Sequence, residues 1–169
     1  MIALRPSILP AVAKAHDIPG LTADLPFREA AARSVAVRTA ELFAHAEGVL
    51  DMTEIEGVHA MRVATRRLRA VLELYAPCFP KSELRPVLRE VKALAAALGA
   101  RRDPDVELVV LERFLTTAGP DEQVGIERFM ARTRAQQEQG NAILAAELRR
   151  MEQIDLHGRL VALAGPAAP

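Results

Sequence analysis

Apolar residues recur along this chain with the spacing of an α-helix, about 3.6 residues per turn. No segment shows the strict alternation of apolar and polar residues that is typical of a half-buried strand. The pattern therefore predicts an all-α protein. The predicted helices run from about Phe27 to Leu50, Glu54 to Tyr75, Ser82 to Leu98, Pro104 to Leu115 and Glu122 to Ala164.

Polar residues, glycine and proline lie where these helices should begin and end. Three polar side chains are placed to act as N-caps: Thr53, Ser82 and Asp103. Glu56 follows the first of them at the spacing of a capping box. Gly99 predicts the end of the third helix, and Pro104 fits the first position of a fourth helix.

The connections between the predicted helices are short, which favours antiparallel neighbours. We expect an up-and-down bundle, similar to a four-helix bundle, over residues 27–164 with a long C-terminal helix. Candidate kinks in that helix are Gly125, Gly140 and Gly158. The proline-rich residues 1–26 should form a leader with at most a helical turn from Ala11 to His16, and residues 165–169 a disordered tail.

Composition agrees with one helical domain. The chain has 169 residues, of which 50% are hydrophobic but only 4% aromatic, so Ala, Leu, Val and Met must fill the core. The single cysteine, Cys78, cannot form a disulfide within the chain, and the N-terminus lacks the apolar segment of a signal peptide. No stretch is long and apolar enough to span a membrane. We expect a cytoplasmic protein with no membrane partner.

The formal net charge is zero, but the charges are segregated along the chain. Residues 59–102 carry 10 basic and 3 acidic side chains, whereas the segments on either side are net acidic. Arginine supplies 19 of the 22 basic residues, and its planar fork suits two-point contacts with phosphate. A local anion site is therefore compatible with a neutral average.

The second predicted helix presents a basic stripe opposite an apolar face. At about 100° per residue, four residues share an arc of about 80°: His59, Arg62, Arg66 and Arg69. The opposite face carries Met61, Ala64, Leu68, Val71, Leu72 and Tyr75. The like charges repel one another, and Glu73 is the only acid of this helix within reach. Either the stripe binds an anion, or it is a solvated face whose arginines pair with acids of neighbouring helices.

A second basic cluster follows on the next predicted helix, with the same spacing: Arg85, Arg89 and Lys92. On an adjacent antiparallel helix it would add to the charge available to one ligand. Asp103 and Asp105 have two interpretations at this stage. In the first, they cap the helix and form ion pairs with neighbouring residues. In the second, they hold arginine side chains in position for a ligand without contacting the ligand themselves.

Two motifs in this basic region together resemble the CHAD domain, the conserved-histidine α-helical domain. The first is His59-x-x-Arg62-Val63-x-x-Arg66-Arg67-Leu68-Arg69, and the second is Leu98-Gly99-Ala100-Arg101-Arg102-Asp103-x-Asp105-Val106. Both match in order and spacing, and the resemblance covers about Pro26 to Ala164. It implies a non-catalytic helical bundle, without cofactor or metal, that binds inorganic polyphosphate, often at polyphosphate granules. The implied ligand contacts are His59, Arg62, Arg66, Arg69, Arg89, Lys92 and Arg102.

Complete CHAD domains resemble two related halves around a basic cavity, and this chain corresponds to the first half. We therefore expect exposed apolar surface and a homodimer, with the last predicted helix as the seam. The apolar residues of that seam are Ile126, Phe129, Met130, Ile143, Leu144, Leu148, Met151, Ile154 and Leu160. In the alternative, the leader covers this surface through Ile8, Leu9, Val12, Ile18 and Leu21 and the protein is monomeric.

Two other functions stay open from the residues alone. A helical bundle with an exposed histidine beside basic residues could accept a phosphoryl group at His59. Nucleic acid is another polyanion, but the basic segment lacks interleaved aromatic residues to stack bases. Metal-dependent hydrolysis is disfavoured because the four histidines, His16, His45, His59 and His157, have no ligand spacing.

Overall fold

The computed structural model describes residues 15–165, and every regular element within them is helical. The helices are α1 (Phe27–Ala44), α2 (Ile55–Leu74), α3 (Lys81–Leu115), α4 (Pro120–Gln153) and α5 (Leu156–Ala164), with a 3₁₀ turn at Ala76–Cys78. The prediction of an all-α helical bundle is confirmed. None of these helices is long and apolar enough to cross a membrane.

The first three helices are antiparallel neighbours, as contacts between their ends establish. The ring of Phe27, at the start of α1, lies 4.9 Å from the ring of Tyr75, just after α2. Lys92 of α3 meets Glu73 near the end of α2. Further along α3, Arg102 donates a hydrogen bond to a carbonyl in the first turn of α2. The basic segments of α2 and α3 therefore lie side by side.

The core lies where α1, α2 and α5 meet the first half of α3 and the second half of α4. Its fully buried apolar residues include Val35, Leu42, Met61, Leu68, Leu72, Leu94, Leu98, Leu144, Leu156 and Leu160. Aliphatic residues dominate, as the composition requires, and Phe79 is the one aromatic ring among the buried core residues of the described chain. The predicted apolar face of α2 is confirmed in its central part.

Helix α3 is one helix of 35 residues where the sequence predicted two. The predicted end at Gly99 and the predicted N-cap at Asp103 are wrong, because the helix continues through both. Pro104 has no N–H to donate to the carbonyl of Ala100, and Gly140 of α4 packs closely against that carbonyl. A Cβ on Gly140 would lie 2.5 Å from the oxygen, so this contact requires glycine. Packing against α4 thus outweighs the local breaking signals.

The predicted C-terminal helix is divided into α4 and α5. Asp155 adopts a left-handed φ of 47°, and its carboxylate accepts a hydrogen bond from the N–H of Gly158 at 3.0 Å. The division thus lies close to Gly158, the last of the three candidate kinks. Asp155 makes it by capping the N-terminus of α5. Helix α4 passes through Gly125 and Gly140 without a break.

The side-chain caps predicted for α2 and α3 are wrong. Ser82 lies inside the first turn of α3, and no side chain caps either helix within residues 15–165. The hydroxyl and N–H of Thr53 instead donate to the carboxylate of Asp51 at 2.7 and 2.8 Å, which lowers the pKa of that carboxyl. Helix α1 ends earlier than predicted, ahead of Gly48, whose φ of 73° is left-handed.

The leader falls only partly within the described residues, where residues 15–26 form turns. The backbone N–H of His16 donates to the buried carboxylate of Glu41 on α1, which also pairs with Arg38 at 2.6 Å. Burial raises the pKa of Glu41, but these hydrogen bonds outweigh burial and hold the pKa below its ordinary value. The predicted turn near Ala11, the contacts expected of residues 8–12 and the predicted tail at residues 166–169 lie outside the described residues.

A buried polar cluster joins α3 to α4. Arg101, fully buried, forms an ion pair with Asp105 one turn later. The same carboxylate oxygen, Oδ1, accepts a hydrogen bond from Gln137 at 2.6 Å, and Arg101 Nε donates to Asn141 at 3.2 Å. Asp105 therefore does orient an arginine, but one in the interior. Asp103, by contrast, is exposed.

Replacing Gly140 with alanine should destabilise the protein, although alanine favours a helix interior by about 1 kcal/mol. The added Cβ would meet backbone atoms of Ala100 and Arg101, which cannot swing aside as a side chain would. We expect a loss of about 1–3 kcal/mol and a lower melting temperature by circular dichroism. Gly125 has no atom within 4 Å of its Cβ position, so Gly125→Ala should raise the melting temperature. Equal shifts in the two variants would contradict the close contact.

Replacing Asp105 with alanine should cost about 3 kcal/mol or more, because the charge of Arg101 would stay buried without its carboxylate. Urea unfolding measures this loss directly. Asp103→Ala is the matched control, since it removes an exposed carboxylate two residues earlier and should change stability by less than about 0.5 kcal/mol. If Asp105→Ala were as stable as its control, the buried pair would not hold α3 against α4.

Candidate anion-binding groove

Helices α2 and α3 border a groove of about 770 Å³. Five of the predicted site residues line it: His59, Arg62, Arg66, Arg69 and Lys92. Small side chains, Ala70, Ala95 and Ala96, line it between the longer basic ones. The fold thus brings the basic stripe of α2 together with one member of the second basic cluster.

The apolar face of α2 determines where the stripe points. Met61, Ala64 and Leu68 are at most 1% exposed and pack in the core. The residues on the opposite side of the helix therefore point away from the core. Accordingly Arg62 and Arg66 are exposed. His59, in the second turn of α2, is half-buried at one end of the stripe.

Among residues 15–165, one acid, Glu73, neutralises this stripe, and it does so at one end. Arg69 Nε and Lys92 Nζ lie 3.1 and 3.2 Å from the same atom, Oε1 of Glu73. The hydrogen bond from Arg69 is the main reason that the pKa of Glu73 lies below its ordinary value, and Lys92 adds to it. Within residues 15–165, Arg62 and Arg66 have no carboxylate at ion-pair distance. The interpretation as a solvated, neutralised face therefore applies to the Arg69 end alone.

Two predicted contacts, Arg89 and Arg102, do not line the groove. The side chain of Arg89 is 76% exposed and lies 3.1 Å from the carboxylate of its neighbour Glu90. Arg102 is buried, and its Nη1 donates to the carbonyl oxygen of Ile55 at 3.4 Å. Arg102 thus fixes the first turn of α2 against α3 and positions the helix that carries the stripe.

Glu73 is a charged groove residue that was not among the predicted contacts. Its spacing of four residues from Arg69 was visible, but the contact with Lys92 depends on the register of α3 against α2. Arg101 was likewise present in the second motif without a role. Arg101 lies four residues before Asp105, a spacing that indicates an ion pair within one helix. The sequence did not predict that Arg101 is completely buried.

The buried carboxylate of Glu90 joins α3 to α4 on the side of α3 away from the groove. Glu90 is 2% exposed and forms an ion pair with Arg150 of α4. Arg150 also lies 3.3 Å from Glu147, whose pKa is raised by burial. These contacts hold the first half of α3 against the second half of α4, so Arg150 has a structural role.

A protein-family model matches most of this sequence. The family model of the CHAD domain matches residues 33–169, which include α2, α3 and the whole groove between them. No curated protein and no solved structure matches the chain. The match extends over most of the sequence and agrees with the two motifs in α2 and α3. The chain therefore belongs to the CHAD domain family.

Proposed function

We propose that the groove binds inorganic polyphosphate without catalysing a reaction. The observation that carries this proposal is the composition of the groove. A histidine, three arginines and a lysine converge from two helices, and one acid lines the groove in the described part of the chain. Family membership supports the same ligand, because the CHAD domain is linked in general to polyphosphate binding.

The shape of the basic stripe suits a linear polyanion. From His59 to Arg69 it follows α2 for about 15 Å, at about 1.5 Å per residue. Arginine forks can each bind two oxygens of a phosphate, and Lys92 adds a compact charge from the facing helix. Arg62 and Arg66 can bind without first breaking an ion pair. Each such contact releases counterions, so affinity should fall as salt rises.

Nucleic acid fits this groove less well. Its lining within residues 15–165 consists of basic side chains, Glu73 and small aliphatic residues, with no Phe, Tyr or Trp ring on which a base could stack. We therefore favour a ligand that offers phosphates without bases. The cytoplasmic location and the association with polyphosphate granules stay predictions from the sequence.

Replacing Arg62, Arg66 and Arg69 together with glutamate should weaken binding of long-chain polyphosphate by at least about 100-fold. Three attractive charges become repulsive, while the apolar face of α2 is unchanged. Helicity by circular dichroism should therefore stay near that of the unaltered protein. Isothermal titration at two salt concentrations measures the affinity and its dependence on salt.

The matched control reverses three exposed arginines of α4 that lie outside the groove: Arg128, Arg132 and Arg149. Arg150 is unsuitable because it pairs with the buried Glu90. Equal losses in the two triple variants would indicate diffuse charge rather than a site. Tighter binding of single-stranded nucleic acid in competition, or acid-labile phosphohistidine at His59 after incubation with a phosphoryl donor, would contradict the proposal.

We further propose self-association through the exposed apolar surface of the α3–α4 hairpin. The expected seam is narrower than predicted, because Met130, Leu144, Met151 and Leu160 are buried within the chain itself and Leu148 and Ile154 pack partly buried against the core. Phe129 and Ile143 are 45% and 46% exposed. Towards the end of the hairpin, further apolar residues are exposed: Val106, Val110, Phe114 and Val124.

Light scattering should give twice the chain mass of 18.4 kDa at high protein concentration. Phe129→Glu should shift the mass towards that of one chain, since it places a charge in the proposed seam. Arg134→Glu is the control that should leave the mass unchanged, because Arg134 is exposed and lies about 140° around α4 from Phe129. A single-chain mass for the unaltered protein, with and without polyphosphate, would contradict self-association.

A further inference from the structure

One end of the groove already holds an anion that the protein itself supplies. The carboxylate of Glu73 lies between Arg69 of the same helix and Lys92 of the facing helix, and one oxygen contacts both cations. All three side chains are exposed to a similar degree, between 41% and 48%. The three residues Arg69, Glu73 and Lys92, here called the latched segment, therefore form a surface cluster that can rearrange.

The rest of the groove differs in its pairing. His59, Arg62 and Arg66, here called the open segment, face the same cavity. The two arginines of the open segment have no carboxylate at ion-pair distance within residues 15–165. An anion entering the open segment meets free cations, whereas an anion entering the latched segment meets cations that are already occupied.

We propose that Glu73 is an internal competitor that a bound polyphosphate chain must displace from Arg69 and Lys92. This inference rests on the proposed function of the groove. A carboxylate and a phosphate oxygen use the same donors of arginine and lysine, so the two anions cannot occupy these donors together. Exposed ion pairs contribute little to stability. A ligand with dense negative charge can therefore displace the carboxylate of Glu73 from Arg69 and Lys92.

The consequence is an effect on chain length. A short phosphate anion can be held by the open segment and does not need to reach the latched segment. A long chain that follows the stripe extends past Arg66 towards Arg69, about 4.5 Å further along the helix axis. It must then displace Glu73 from Arg69 and Lys92 before it can use these donors. Glu73 therefore reduces the advantage of long chains over short ones.

Glu73→Gln tests this role, because glutamine keeps the size of the side chain and removes its charge. We expect long-chain polyphosphate to bind about fivefold more tightly to this variant than to the unaltered protein. Tripolyphosphate should change by less than about twofold, because it is held by the open segment. Isothermal titration of both ligands at one salt concentration gives the two ratios.

Two controls separate displacement from a general change in charge. Glu83→Gln removes an exposed carboxylate of α3, nine residues before Lys92 and therefore on about the opposite side of that helix. It should leave both affinities near those of the unaltered protein. In a background with Arg69→Gln and Lys92→Gln, adding Glu73→Gln should give no gain, because the donors it would release are absent.

The outcomes discriminate between this inference and the proposed function. If the unaltered protein binds polyphosphate and Glu73→Gln binds it equally or more weakly, then Glu73 holds the cations in place and the inference is wrong. A gain that persists without Arg69 and Lys92, or that equals the gain of Glu83→Gln, would also overturn it. If neither the unaltered protein nor Glu73→Gln binds polyphosphate, the proposed function itself fails.

Discussion

The close contact between α3 and α4 is the constraint on which the rest of the structure depends. Gly140 lets the two backbones meet at the carbonyl of Ala100, and the buried Arg101–Asp105 pair lies beside that contact. Together they keep α3 continuous through a proline that would otherwise favour a break. Because α3 stays one rigid helix, its first half can serve as a wall of the groove while its second half is held by α4.

The groove then follows from how α2 is placed against this wall. The apolar face of α2 packs in the core, and Arg102 of α3 holds its first turn through the carbonyl of Ile55. The basic stripe consequently faces along the border between the two helices, with Lys92 opposite its far end. In this helix pair, the buried Arg102 stabilises the packing of α2 against α3, whereas the exposed arginines of α2 line the groove.

The sequence predicted the helical class and the direction of the α2 stripe because both depend on periodicity within one element. It did not predict the continuity of α3, since the Gly99 and Pro104 signals are local and the compensating contact comes from Gly140, distant in sequence. Arg89 and Lys92 share one spacing pattern, yet only Lys92 lines the groove. Helix α2 ends one residue after the Glu73 that meets Lys92, so Arg89 has no basic stripe opposite it.

The alanines of the groove determine how its shape responds to a ligand. Ala70, Ala95 and Ala96 have no side-chain rotamers to lose, so ordering them on binding carries no entropic penalty. The conformational freedom that binding restricts belongs to the long arginine and lysine side chains around them. The groove is therefore preorganised along its helix backbones, with adaptability confined to the tips of its basic side chains. Such a surface can follow successive phosphates of an irregular chain without moving either helix.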